Sequence, residues 1–261
     1  MRLAAVFFFG LSSEWLKQRR SLTRPLVIGS ACFIPAIIFL SRFRHIDALP
    51  ALYRAPRFWE GLWRQSWEAM ALMILPLAIM LMASLIAQVE YRNNAWKQVH
   101  ATPQPVAAIF AAKLVVLLVL VAQLILCFNV AIYAAGALPA LLFDGVSLPG
   151  PLRIGYFLNR DVRFFLDVLP IVALQYVLAI LFRSFLAPLG IGMGLWIFSV
   201  GTMSWKYSWA VPYSAASLDY LSVEYQRTLP MPVSPPAIAL AWFFVFMVVG
   251  YVLYSWKRER G

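Results

Sequence analysis

Charge is scarce in this chain. Of its 261 residues 13% are Asp, Glu, Lys or Arg, against about 25% in an ordinary soluble domain. Cysteine is nearly absent: Cys32 and Cys127 both fall inside apolar runs, which excludes a disulfide framework or a cysteine-based metal centre and leaves them as small buried apolar residues. Histidine is equally rare. His45 and His100 sit in separate connecting segments, and Asp47 beside His45 completes no metal-ligand spacing. No nucleophile, base and orienting group fall together, so the sequence predicts no catalysis by this chain alone. A phosphate-binding loop is missing too, since the nearest spacing, G145VSLPG150, runs into Pro151 where a lysine is needed.

Apolar sequence is abundant. Hydrophobic residues make up 62% of the chain, and charge-free runs reach the roughly 20 residues that cross about 30 Å of hydrocarbon as a helix. The short alternating segments of a membrane barrel do not occur. The fold class that follows is an all-α integral membrane protein with six transmembrane helices, near 23–41, 69–89, 109–136, 163–182, 185–204 and 237–256. The fourth reaches spanning length only by taking in Arg163 or Asp167, whose charges are expected to reach into the headgroup region. No connecting segment is long enough for a soluble domain, so residues 1–261 read as a single transmembrane domain.

Basic residues outnumber acidic ones by 22 to 11. They gather at the ends of apolar runs, which is topology and not a nucleic-acid-binding face. With N- and C-termini cytoplasmic, the inner segments hold 12 of the 22 basic residues and three of the 11 acids. That orientation satisfies the positive-inside rule, although Arg42, Arg44, Arg54, Arg57 and Arg64 on the outer side weaken the bias. Leu3 to Leu11 is apolar but is followed by Glu14 and a basic cluster, which is not a signal-peptide cleavage pattern.

Two polar stretches stand out. Before the first span, SSEWLKQRRSLTRP reads as an interfacial helix over about 11–22, capped by Ser12 or Ser13 and starting near Glu14. Trp15 would enter the interface while Lys17, Arg19 and Arg20 meet anionic headgroups; the alternative is a basic flank that only fixes orientation. Between spans 2 and 3, E90YRNNAWKQVHATPQPVAAIFAAK113 holds a short polar helix with Trp96 as aromatic anchor, ended by Pro103 and Pro105. Its alternative is a solvated loop.

The second stretch resembles the coupling-helix region of type-two (ABC-2) ABC exporter permeases. So do the interfacial EWLKQRRS, the six spans with inner termini, the minimal FRSF between spans 4 and 5, and the longer outer segment between spans 5 and 6. Within that superfamily the chain looks most like the small bacterial permeases of lantibiotic-immunity and related bacteriocin or drug-export systems. The resemblance implies a bacterial cytoplasmic membrane location and a pair of permease subunits, identical or homologous, working with a cytoplasmic ATPase, in two copies, that binds MgATP. No cofactor is expected in this chain. Carried onto this sequence, the ATPase-coupling element is Glu90, Tyr91, Arg92, Asn93, Asn94, Trp96, Lys97 and Gln98. The expected cargo is amphipathic or hydrophobic, a peptide antibiotic, drug or lipid-like molecule. A secondary transporter and a membrane-embedded lipid-modifying enzyme are the competing readings.

Other features stay open at this level. Trp59, Trp63 and Trp67 share one helical stripe, as an aromatic belt or as a site for an amphipathic substrate. Gly190 and Gly194 form a G-x-x-x-G that serves packing within the subunit or a dimer contact. Gln123, Asn129 and Gln175 lie inside spans and are expected to face other helices.

Overall fold

A computed structural model describes residues 2–19, 21–92, 105–224 and 234–259, and among them there is no strand. The chain is a helical membrane bundle. Helix α1 (Arg2–Arg19) precedes α2 (Thr23–Arg44), and a short α3 (Leu49–Tyr53) leads into α4 (Phe58–Ala69). A five-residue π-helical segment, Met70–Ile74, joins α4 directly to α5 (Leu75–Arg92). Then follow α6 (Val106–Leu142), α7 (Ile154–Asp167), α8 (Leu169–Leu181), α9 (Leu186–Gly201), α10 (Ala215–Glu224) and α11 (Pro235–Glu259).

Five stretches are long and apolar enough to cross a membrane: Thr23–Arg44, Phe58–Val89, Val106–Leu142, Ile154–Leu181 and Pro235–Trp256. The sixth apolar helix, α9, has 16 residues, about 24 Å at 1.5 Å per residue. Each expected span therefore has its helix, with shifted ends. The second begins eleven residues earlier than the apolar run implies, because α4 feeds into it without a break. The interfacial helix starts at Arg2, not near residue 11, so Ser12 and Ser13 lie inside it and cap nothing. Leu3 to Leu11 contains no proline, and one helix runs through it, Gly10 included, as far as Arg19.

Side-chain contacts sort the helix ends into two groups. At one end Glu14 of α1 meets Lys113 of α6, Tyr91 of α5 meets Ile180 of α8, and Phe110 of α6 meets Tyr176 of α8 together with Tyr251 and Tyr254 of α11. At the other end Arg42 of α2 meets Ala135 of α6, Trp59 of α4 meets Gly150, and Tyr220 of α10 meets Arg64 of α4. Six crossings in alternating directions satisfy both sets. Glu14 and the last turns of α11 consequently share an end with Tyr91.

Prolines break backbone ladders inside the bundle, and neighbouring helices repair them. Pro139 has no N–H to return to the carbonyl four residues back, Ala135, and in hydrocarbon an orphaned carbonyl is costly. Arg42 of α2 donates to that oxygen. Pro76 likewise frees Leu72, within the π-helical join, and Trp196 of α9 donates to Leu72 at 2.9 Å. Two missing ladder bonds, each a local accident of sequence, thus become interhelical ties.

The aromatic stripe of α4 is core. Trp67 is fully buried and stacks on Phe164 of α7 at 4.2 Å, Trp63 is buried beside it, and Trp59 stacks on Tyr133 of α6 at 5.3 Å. It forms neither an aromatic belt nor an open substrate surface, because α7 and α6 cover it. Of the three intramembrane amides, Gln175 is buried and donates to Tyr213 at 2.8 Å, and half-buried Asn129 donates to Ile125 O at 2.9 Å. Gln123, expected to face a helix, lies on the exposed side of α6. Asp167 does not reach toward headgroups either: it is fully buried at the α7–α8 turn, and neither carboxylate oxygen has a hydrogen-bond partner among the described residues.

Candidate functional site

The polar stretch between α5 and α6 is framed by its two ends. On the α5 side the last turn carries Glu90, Tyr91 and Arg92, and the Tyr91 hydroxyl donates to Ile180 O at 2.9 Å. On the α6 side Phe110 O accepts from the Tyr176 hydroxyl at 2.6 Å. Ile180 and Tyr176 lie one turn apart on α8. A single helix therefore holds both flanks of the segment through phenolic hydroxyls on backbone carbonyls, each bond contributing about 1 kcal/mol net. Asn93, Asn94, Trp96, Lys97 and Gln98 lie outside the described residues, as does Arg20.

Beside Tyr91 a shallow cleft opens between α5, α8 and α9, lined by Ser84, Gln88, Arg183 and Phe185 among others. It marks the end of the bundle where the four-residue link 182–185 turns α8 into α9.

Helix α1 joins the same end. Glu14 is 6% exposed and Lys113 4%, and they form an ion pair at 2.9 Å while Lys17 meets the other Glu14 oxygen at 2.6 Å. Trp15 and Leu11 pack on the core, whereas Phe8, Phe9 and Leu16 are exposed. Arg19 is exposed. Gln18 is buried and accepts from Thr23 at 3.1 Å, which fixes the turn between α1 and α2. The apolar outward face fits a helix lying in the membrane surface. In sequence Glu14 stands at an expected helix start and Lys113 at the end of the polar stretch 90–113; 99 residues separate them, and no local pattern links charges that far apart.

At the opposite end the polar groups are structural. Arg42 is 6% exposed, donates to the Tyr53 hydroxyl at 2.6 Å, and lies 5.3 Å from the ring centres of both Tyr53 and Phe58. Burial pushes the Tyr53 hydroxyl above the usual phenol range, with Arg42 pulling it back. Asp219 on α10 is buried, and desolvation raises its carboxyl against the opposing pull of Arg160 and Arg163. Desolvation likewise raises the Tyr213 hydroxyl against its hydrogen bond with Gln175. Among the described residues, no group of three or more His, Cys, Asp and Glu side chains is arranged to hold a metal ion.

The close helix approach on α9 is at Gly192, where a Cβ would lie 1.7 Å from Gln175 Nε2. At Gly190 and Gly194 a Cβ would meet nothing within 4 Å. Among the described residues these two glycines therefore meet no neighbouring helix, and their face of α9 is exposed.

The chain matches the family described as ABC-2 family transporter protein over residues 10–199. It belongs to that family. No curated protein matches it. An ABC-2 chain is a transport subunit and not itself an enzyme, and permeases of this family work in a lipid bilayer with a cytoplasmic ABC ATPase. The match reaches from the middle of α1 through α9, so both the α1–α6 contact and the α5–α6 segment fall inside it. With its apolar helices, this ABC-2 chain is a multi-pass membrane protein, and a bacterial inner membrane is consistent with the family.

Proposed function

We propose that this ABC-2 permease is the membrane subunit of an exporter whose separate cytoplasmic ATPase docks on residues 90–98. The observation that carries the reading is the double attachment of that segment's flanks to α8 by Tyr91 and Tyr176. A passive loop needs no such framing. A docked element does, because force applied to it must enter the bundle without being absorbed by slack at its ends. The ATPase supplies the MgATP chemistry, since this sequence has no phosphate-binding loop.

Several further features support the same assembly. The end holding Glu14, Tyr91 and the last turns of α11 is cytoplasmic in this reading, in keeping with the 12 basic residues assigned to it. Two copies pair with two ATPase subunits, and the open Gly190 and Gly194 face of α9 is available for close contact with the second permease, identical or homologous. The cargo class is amphipathic or hydrophobic: a peptide antibiotic, a drug or a lipid-like molecule, as in bacteriocin-immunity and drug-export systems.

Copurification with an ATPase, followed by substitution of Trp96→Ala, Glu90→Arg and Arg92→Glu, tests this reading. Loss of a central aromatic anchor costs on the order of 2 kcal/mol, roughly thirtyfold in affinity. Unchanged ATPase association in all three variants at normal expression would return the segment to a solvated turn. A second reading, a secondary transporter, draws on the buried carboxylate Asp167, because intramembrane acids commonly mark ion pathways. Transport by the purified chain without any ATPase would favour it.

A further inference from the structure

We propose that the Glu14–Lys113 ion pair is the positioning contact through which movement of the coupling segment reaches α1, making α1 a moving part of the transporter. This rests on the coupling reading above. Lys113 lies within two turns of Val106, the first residue of α6, and therefore directly beyond the coupling segment. Helix α6 runs for 37 residues, about 55 Å, so it moves as a lever and not as a flexible tether.

Burying two opposite charges costs several kcal/mol of desolvation per ion, which their attraction only partly offsets, and an apolar pair of similar volume usually anchors a helix as well or better. A permanent anchor is thus better made from leucines, and α1 already has Leu11 and Trp15 on the core. What the charge pair adds is directionality and strong dependence on geometry. It holds α1 in one register on α6, and as α6 shifts it either carries α1 with it or lets go. The outward face of α1, with Phe8, Phe9 and Leu16 exposed, makes such movement inexpensive, because an apolar face can slide within the membrane surface without losing burial. Lys17, on the other Glu14 oxygen, keeps the carboxylate compensated when Lys113 is displaced.

The test uses the permease in lipid nanodiscs with its copurifying ATPase, in a background with Cys32 and Cys127 replaced by serine. Spin labels are placed at the exposed positions Leu16→Cys and Val119→Cys. The expected result is a change in the α1–α6 distance between nucleotide-free and ATP–vanadate states. That change should be lost in Glu14→Gln and Lys113→Met while the ATPase still copurifies, and should return when all three charges are exchanged, Glu14→Lys with Lys17→Glu and Lys113→Glu, because Lys17 also meets Glu14. A full-sized change in both single variants would overturn the proposal, as would a wild-type complex in which α1 does not move or single variants that lose the ATPase. Hydrogen exchange on the permease alone supplies a readout independent of any partner. Glu14→Gln, which leaves Lys113 buried without that carboxylate, should speed exchange in α1 by roughly two orders of magnitude, with recovery in the triple exchange. Unchanged exchange would also overturn the proposal. Failure of any ATPase to copurify with the wild type, with the exchange result intact, would instead count against the coupling reading while leaving the contact in place.

Discussion

Arg42 offers the sharpest test of how this bundle is held. Its guanidinium supplies the donor that Pro139 withholds from Ala135 O, donates to Tyr53, and faces two aromatic rings. Replacing it by methionine keeps most of the stem and removes all three interactions. An unsatisfied buried carbonyl costs about 1–3 kcal/mol, and cation–π contacts contribute about 0.5–2 kcal/mol each when desolvated. Against this stands the desolvation cost that a buried cation no longer has to meet. Tyr53 still donates to Gly136 O at 2.8 Å and is not orphaned. The net expectation is a loss of roughly 2–4 kcal/mol, a fall in melting temperature on the order of 5–15 °C at this chain length. The decisive variant is Pro139→Ala, which gives residue 139 an N–H to bond Ala135 O within the helix. In that background Arg42→Met should cost about 1–3 kcal/mol less, the share belonging to the carbonyl. Thermal unfolding of the four proteins in one detergent at a fixed scan rate measures the cycle. Costs that add to within about 0.5 kcal/mol would refute the idea that Arg42 compensates for Pro139.

Three other outcomes are expected. Gly192→Ala should destabilise the fold by about 1–3 kcal/mol, because its Cβ would meet Gln175 Nε2 and Met80 Sδ, whereas Gly190→Ala and Gly194→Ala should raise the monomer's melting temperature slightly, by the helix propensity of alanine, and lower the dimer fraction seen by size-exclusion light scattering. Asp219 is raised by burial, so the folded protein binds its proton more tightly than the unfolded chain; stability is retained below the ordinary carboxylate range and lost as pH rises through the folded value. Asp219→Asn should accordingly melt higher than the wild type near pH 8 and by a smaller margin near pH 5, and a margin independent of pH would refute this. Cysteines placed at Lys97 and Glu224 should label from opposite sides of the membrane in intact cells; labelling from one side would break the six-span topology.

Much of this architecture is written locally. Apolar run lengths are set by bilayer thickness, so the six crossing segments, their alternation and the minimal link at 182–185 are legible from residue types alone. The polar break at 90–113 was likewise visible.

What the sequence could not settle is which side of each helix faces which neighbour. The tryptophan stripe of α4 has the same spacing whether lipid or protein covers it, and only the packing of α6 and α7 buries Trp63 and Trp67. In G190IGMG194 the recognisable glycine pair meets no neighbouring helix among the described residues, while the unremarked Gly192 receives Gln175. Arg42 looked like a charge at the end of a span. Its role depends on a proline 97 positions further along, and that of Glu14 on a lysine 99 residues away. Hydrophobic periodicity reports burial, not partners. Pairings that close over such distances are chosen by how helices stack in three dimensions, and tertiary structure alone decided them.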